Sequence, residues 1–172
     1  MSASSTSADP RLQAAIDLVQ REGVALDDRD WDAWLDLYDP RAVFWVPAWL
    51  DNGELASDPD TQLSLIYHES RAALEERVRR IRSQKSVVAM PLMRTVHFLS
   101  HVTARAQGDD EVQVRANWSV RTLDTRTQAE HTLFGRYQFR IGFAPDDAPR
   151  IRCKQVTLVN DRVPTLLDIY CL

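Results

Sequence analysis

Apolar residues recur at helical spacing through the first third of this chain and at every second position from Arg94 onward. Asp9-Pro10 supplies an N-cap residue and a proline at the first helical position. Leu12, Ala15, Ile16, Val19 and Leu26 then form one stripe, with Arg11, Asp17, Gln20 and Arg21 turned to water and Gly23 a weak point. Asp27-Asp28-Arg29-Asp30 breaks the pattern and caps a second helix, in which Trp31, Trp34, Leu35 and Tyr38 share a face and Pro40 ends the run. The two tryptophans read as the lid of a core.

Ala42 to Ala48 reads as a strand, with Pro47 confining its end to an edge or bulge. Turn-forming residues from Asp51 to Asp60 make a loop, and Leu63 to Tyr67 returns as a short strand. Ser70 caps a third helix whose core stripe is Leu74, Val78 and Ile81. Arg77 lies on one edge of that stripe, Arg71 and Arg82 on the other, and Arg79 and Arg80 point away.

The period-two region resolves into four strands. Val96, Phe98, Val102 and Ala104 are expected on one face of the first. His97 and His101 then share the opposite face, about 13 Å apart at a rise of about 3.3 Å per residue, too far to hold one ion. Val112, Val114, Ala116, Trp118 and Val120 share a face of the second strand, and Leu133, Tyr137, Phe139, Ile141 and Phe143 a face of the third, with Gly135 a bend or bulge. The fourth, Arg150 to Val159, alternates through Ile151 and Cys153 and changes phase at Gln155-Val156. Turns around Gly108-Asp109-Asp110, Asp124-Thr125-Arg126 and Pro145 to Pro149 make consecutive antiparallel hairpins. Helices first and a long meander last predict an α+β fold, a curved antiparallel sheet wrapped over N-terminal helices as a cone-shaped half-barrel. Residues 1–8 are expected as a disordered tail and 9–172 as a single domain.

Composition narrows the function. The chain has 172 residues, 27% of them charged, and a net charge of −4, with no basic stripe visible along the sequence, so nucleic acid is not expected as a partner. No apolar run spans a membrane and no signal-peptide pattern opens the chain, which predicts a cytoplasmic protein. Two cysteines, Cys153 and Cys171, imply reduced thiols rather than a disulfide scaffold, with Cys153 a small buried hydrophobe. The four histidines and two cysteines show no metal-ligand spacing, and the five glycines never cluster as a phosphate loop would need. One catalytic reading survives: His97, Trp118, His131 and Tyr137 lining the cone, with His97 or His131 as base of an isomerase or dehydratase. A small-ligand binding module without chemistry is a further alternative.

Several segments together resemble a known family. These are Trp45-Val46-Pro47-Ala48-Trp49, Leu65-Ile66-Tyr67-His68, the helix from Leu74 to Ile81, Arg94-Thr95-Val96-His97, Phe134-Gly135-Arg136-Tyr137, Lys154 to Asp161 and Asp168-Ile169-Tyr170. They are similar to the small (beta) subunit of bacterial aromatic-ring-hydroxylating dioxygenases, and most similar to its benzoate and anthranilate branch. Ser100-His101 departs from the pattern, where an asparagine before the valine is expected. The resemblance implies a fold like that of nuclear transport factor 2 and ketosteroid isomerase. It implies a non-catalytic, structural role: no cofactor, metal or catalytic residue in this chain, and a Rieske [2Fe-2S] cluster and mononuclear Fe(II) in a large (alpha) subunit. A separate reductase would bring electrons from NADH. Copies of both subunits would assemble, as α3β3, with Trp45, Trp49, Tyr67, Arg77, Arg79 and Arg80 as candidate contacts.

Overall fold

The structure, a computed structural model, describes residues 9–83, 91–144, 148–160, 163 and 167–172. Helix α1 spans Pro10–Asp27, α2 Trp31–Asp36 and α3 Arg71–Arg82. The strands are β1 (Tyr38–Pro47), β2 (Ser64–His68), β3 (Arg94–Ala106), β4 (Glu111–Leu123), β5 (Glu130–Gly142) and β6 (Arg150–Leu158). A 3-10 turn, Ile169–Cys171, follows.

The six strands form one sheet in the order β2-β1-β6-β5-β4-β3. Every neighbouring pair is antiparallel except β1 and β6, which run parallel. The sheet is therefore mixed, with the expected meander from β3 to β6 and one parallel seam that periodicity could not reveal. Its concave face packs on α1, which lies over β3 and β4, and on α3, which lies over β1 and β2. The expected cone of the nuclear transport factor 2 type is what forms.

Local chemistry explains the helix boundaries. The Asp9 side chain accepts from the Arg11 backbone N–H at 2.9 Å, and Pro10 follows it. Asp30 and Ser70 cap α2 and α3 through the backbone N–H groups of Ala33 and Ala73. Leu74, Val78 and Ile81 are buried as one stripe. Gly23 is buried in α1 facing His97.

Four expectations need correction. The second helix stops at Asp36, and Tyr38 opens β1, because Tyr38 pairs with Ile151 and the Ile151 N–H donates to the Leu37 carbonyl at 2.8 Å. Pro40 is tolerated inside the strand because the β1–β6 register breaks between Tyr38 and Val43, where no ladder donor is needed. In β3, a bulge at His101, whose φ is 52°, turns the phase. His97, Leu99, Val102 and Ala104 thus face inward, while Val96 and Phe98 are 52% and 50% exposed. His97 and His101 therefore point to opposite sides.

The phase change in β6 falls at Arg152, not at Gln155. Ile151 and Cys153 pair with consecutive residues Ile141 and Arg140, leaving Arg152 as the extra residue. Lys154, Val156 and Leu158 thereby join Ile151 on the buried face, and Cys153 is only half-buried on the other. Gly135 makes no bulge, since the β4–β5 register runs unbroken through it. It is glycine because any Cβ there would collide with the Thr157 carbonyl of β6. The third predicted hairpin turn, Pro145 to Pro149, lies partly outside the described residues.

Candidate functional site

The inside of the cone is built around an ion pair that replaces the hydration of both partners. Glu22 stands on the buried stripe of α1 and Lys154 on the concave face of β6, at 1% and 0% exposure. Lys154 Nζ donates to Glu22 Oε1 at 2.8 Å, to Oε2 at 3.0 Å and to the Leu172 main-chain oxygen at 3.0 Å. Trp34 Nε1 and Tyr38 Oη also donate to Glu22 Oε1, at 2.8 and 2.9 Å. The ammonium lies 4.6 Å from the Tyr137 ring centroid and 5.4 Å from that of Phe44. Burial pulls the Lys154 pKa below its ordinary value, with Glu22 opposing.

Beside this pair lies a second polar group. Asp27 Oδ1 is 2.6 Å from His97 Nδ1, and Asp27 also accepts from the His97 backbone N–H and the Thr95 hydroxyl. A carboxylate can only accept here, so Nδ1 carries the hydrogen and Nε2 points inward. Burial alone would raise the Asp27 carboxyl; the hydrogen bonds and charge of His97, with Thr95, overcome that and hold it below the usual range. Trp118 stacks on Tyr137 with ring centroids 5.0 Å apart. The Tyr137 hydroxyl is pushed well up by burial and then by the charges of Glu22, Cys171 and Asp27.

The structure therefore brings His97, Trp118 and Tyr137 together on the concave face. His131 is half-buried on the same face, opposite Thr122, one cross-strand row beyond the row of His97. An Asp–His pair is a fitting general base in form, yet a base must reach a substrate proton. His97 Nε2, Trp118 Nε1 and Tyr137 Oη are all closed to solvent and have no hydrogen-bond partner among the described residues. That closure weighs against the isomerase or dehydratase reading.

The candidate contact residues separate into two groups. Trp45 and Tyr67 are cross-strand partners on the outer face of the sheet, and Trp49, 47% exposed, borders it with Nε1 donating to the Leu158 carbonyl at 2.7 Å. Trp45 Nε1 donates to the Ser64 hydroxyl. The three arginines are on α3 instead, and each is answered within the chain. Arg77 forms a two-point bridge to Asp168, which is buried, while Arg79 and Arg80 both pair with Glu76. Arg71 and Arg82, on the other edge, hold Asp36 and Asp32.

Sequence reasoning missed Glu22, Asp27 and Lys154. Glu22 carried a signal, a carboxylate seven residues after Ala15 on the same helical stripe. Lys154 was hidden by the bulge at Arg152, and Asp27 passed for a helix breaker. Among the described residues, no group of three or more His, Cys, Asp or Glu side chains is gathered to hold a metal ion, and no helix is long and apolar enough to cross a membrane.

A cone whose interior is closed by its own ion pair, and whose sheet exposes aromatics outward, matches one family along most of its length. Residues 21–165 match the ring hydroxylating beta subunit family, and the chain belongs to it. It is 41% identical over 145 residues to the benzoate 1,2-dioxygenase subunit beta of Acinetobacter baylyi, covering 84% of each chain. It is 38% identical over 144 residues to the anthranilate 1,2-dioxygenase small subunit of the same organism, covering 84% of this chain and 86% of the other. The crystal structure of the beta subunit of benzoate 1,2-dioxygenase from Burkholderia mallei superposes with a TM-score of 0.77 at 36% identity, covering 97% of this chain and 99% of that one.

Proposed function

We propose that this chain is the non-catalytic small subunit of the terminal oxygenase of a Rieske non-haem iron dioxygenase acting on an aromatic carboxylate of the benzoate or anthranilate type. In this reading it works in the cytoplasm as an assembly component, with the large subunit carrying the Rieske cluster and the mononuclear iron. A reductase supplies electrons from NADH, and three copies of each subunit assemble as α3β3. The relatives named for benzoate and anthranilate oxygenation support the substrate class.

One observation carries the assembly role. Among the described residues, large exposed hydrophobic side chains are concentrated on one surface: Trp49, Leu63, Leu65, Tyr67, Val96, Phe98, Phe134 and Val159 lie on or beside the outer face of the sheet, and only Val24 lies on a helix. A monomer rarely leaves so much apolar surface on one side to water. The charged groups of the interior, by contrast, are paired within it: Glu22 with Lys154, and Asp27 with His97.

The test is co-expression with the large subunit, recognisable by its Cys-x-His and Cys-x-x-His pair. A stable hetero-oligomer that oxygenates an aromatic carboxylate is expected, while the purified small chain contains no iron and gives no turnover. A chain that never associates with any large subunit would overturn the reading.

A further inference from the structure

Four side chains cross the concave face on a diagonal, each one strand and one cross-strand row from the last: His97 on β3, Trp118 on β4, Tyr137 on β5 and Lys154 on β6. His97 opposes Val120, two residues beyond Trp118. Tyr137 opposes Ala116, two residues before Trp118, and Lys154 opposes Phe139, two beyond Tyr137. Helix α1 answers both ends of the line, Asp27 holding His97 and Glu22 holding Lys154. These two acids are about 7.5 Å apart along the helix axis. Between them Gly23 lets the helix settle on the sheet, for a Cβ there would stand 3.6 Å from His97 Cβ.

The middle of the diagonal is polar and unanswered. His97 Nε2, Trp118 Nε1 and Tyr137 Oη have no hydrogen-bond partner among the described residues. Their side chains are nevertheless sealed in, at 4% exposure for His97 and 3% each for Trp118 and Tyr137. Each such atom, left unpaired, opposes folding. The Trp118 and Tyr137 rings lie parallel, 4° apart in plane and 5.0 Å between centroids. Burial, then the charges of Glu22, Cys171 and Asp27, keep the Tyr137 hydroxyl protonated. It therefore has a hydrogen to give, and it lies within the field of both carboxylates.

The chemistry of the three atoms selects what can satisfy them. Asp27 takes the Nδ1 hydrogen, so Nε2 of His97 is an acceptor, whereas the indole N–H can only donate. Two donors and one acceptor match a single water molecule, which would use both lone pairs and one hydrogen. Three hydrogen bonds are the usual complement of a buried water. An anion would meet Glu22 and Asp27, and a cation would face two donors.

We propose that His97 Nε2, Trp118 Nε1 and Tyr137 Oη enclose an internal water site that joins the two buried ion pairs into one network. The path runs from Asp27 through His97 and the water to Tyr137. It continues to Lys154, whose ammonium lies 4.6 Å from the Tyr137 ring centroid, and ends at Glu22. It ties α1 to β3, β4, β5 and β6 at once. Neither a partner subunit nor a substrate enters it, so it stands or falls apart from the assembly reading.

The experiment combines a crystal structure of the full chain with urea unfolding of Tyr137→Phe, which removes the hydroxyl and keeps the ring. Water density is expected at about 2.7–3.2 Å from all three atoms. With water bound, Tyr137→Phe deletes a hydrogen bond, and the folding equilibrium constant should fall about 2–10-fold. In a dry interior the same change removes an unsatisfied hydroxyl, and the constant should stay level or rise. A dry interior, density too large for water, or a Tyr137→Phe chain at least as stable as wild type each overturns the proposal.

Discussion

Glu22 and Lys154 are tolerated in the interior only because each removes the other's desolvation cost, so removing one leaves a bare buried charge. Lys154→Met is expected to lower stability by about 3–5 kcal/mol in urea unfolding. Glu22→Leu combined with Lys154→Met should recover part of that loss but not all of it. The Trp34 N–H and Tyr38 hydroxyl, which donate to Glu22, would then be orphaned at about 1–3 kcal/mol each. Asp27 gives a pH-dependent test. Its carboxyl is held below the usual range, so its contribution is present above the unfolded carboxylate pKa of about 3.9 and is lost as pH falls through the lower folded value. Asp27→Asn should therefore cost about 1–3 kcal/mol near pH 7, and the gap to wild type should narrow in urea titrations below about pH 4. Lys154 and Asp27 gave no sign in the sequence, and Glu22 only its place on an apolar stripe, because their partners are far away along the chain: His97 lies 70 residues from Asp27, and Lys154 lies 132 from Glu22.

At the scale of elements, the local signals were readable. The caps at Asp9, Asp30 and Ser70, the α3 stripe and the alternation in β4 and β5 all stand where spacing put them. What spacing could not supply was phase across a bulge. One extra residue at His101 or Arg152 moves every later side chain to the other face. The signs of a bulge are weak in a sequence, and a left-handed histidine gives none. Gly135 shows a related limit, since its need for glycine comes from the crossing of β6 and not from its own backbone. Gly135→Ala would drive Cβ into the Thr157 carbonyl and the Leu158 Cα, both main chain, and is expected to cost about 3 kcal/mol or more. Gly142→Ala would meet only the Arg152 side chain, which can swing aside, and should cost under about 1 kcal/mol. Thermal melting of the two single variants distinguishes them.

The whole molecule divides its labour between its two sheet faces, the concave one spent on its own core and the convex one offering arginine, tryptophan and phenylalanine outward. If the convex face is a contact surface, stability should depend on partners by mass action. Saturating large subunit at about 100 times the dissociation constant adds about 2.7 kcal/mol, a rise of roughly 5–10 °C in melting temperature for a domain of this size; no rise on mixing would count against the contact. The parallel seam has a consequence for how the chain is made. β6 lies in the middle of the sheet, between β1 and β5, yet it is the last of the described strands in sequence. Until it emerges from the ribosome, β1 with β2 and β3 with β4 and β5 are separate pieces, each with an open edge facing the gap. Growth of the nascent chain thus leaves two adhesive borders exposed until β6 has been made, and any product cut short before Arg150 keeps them.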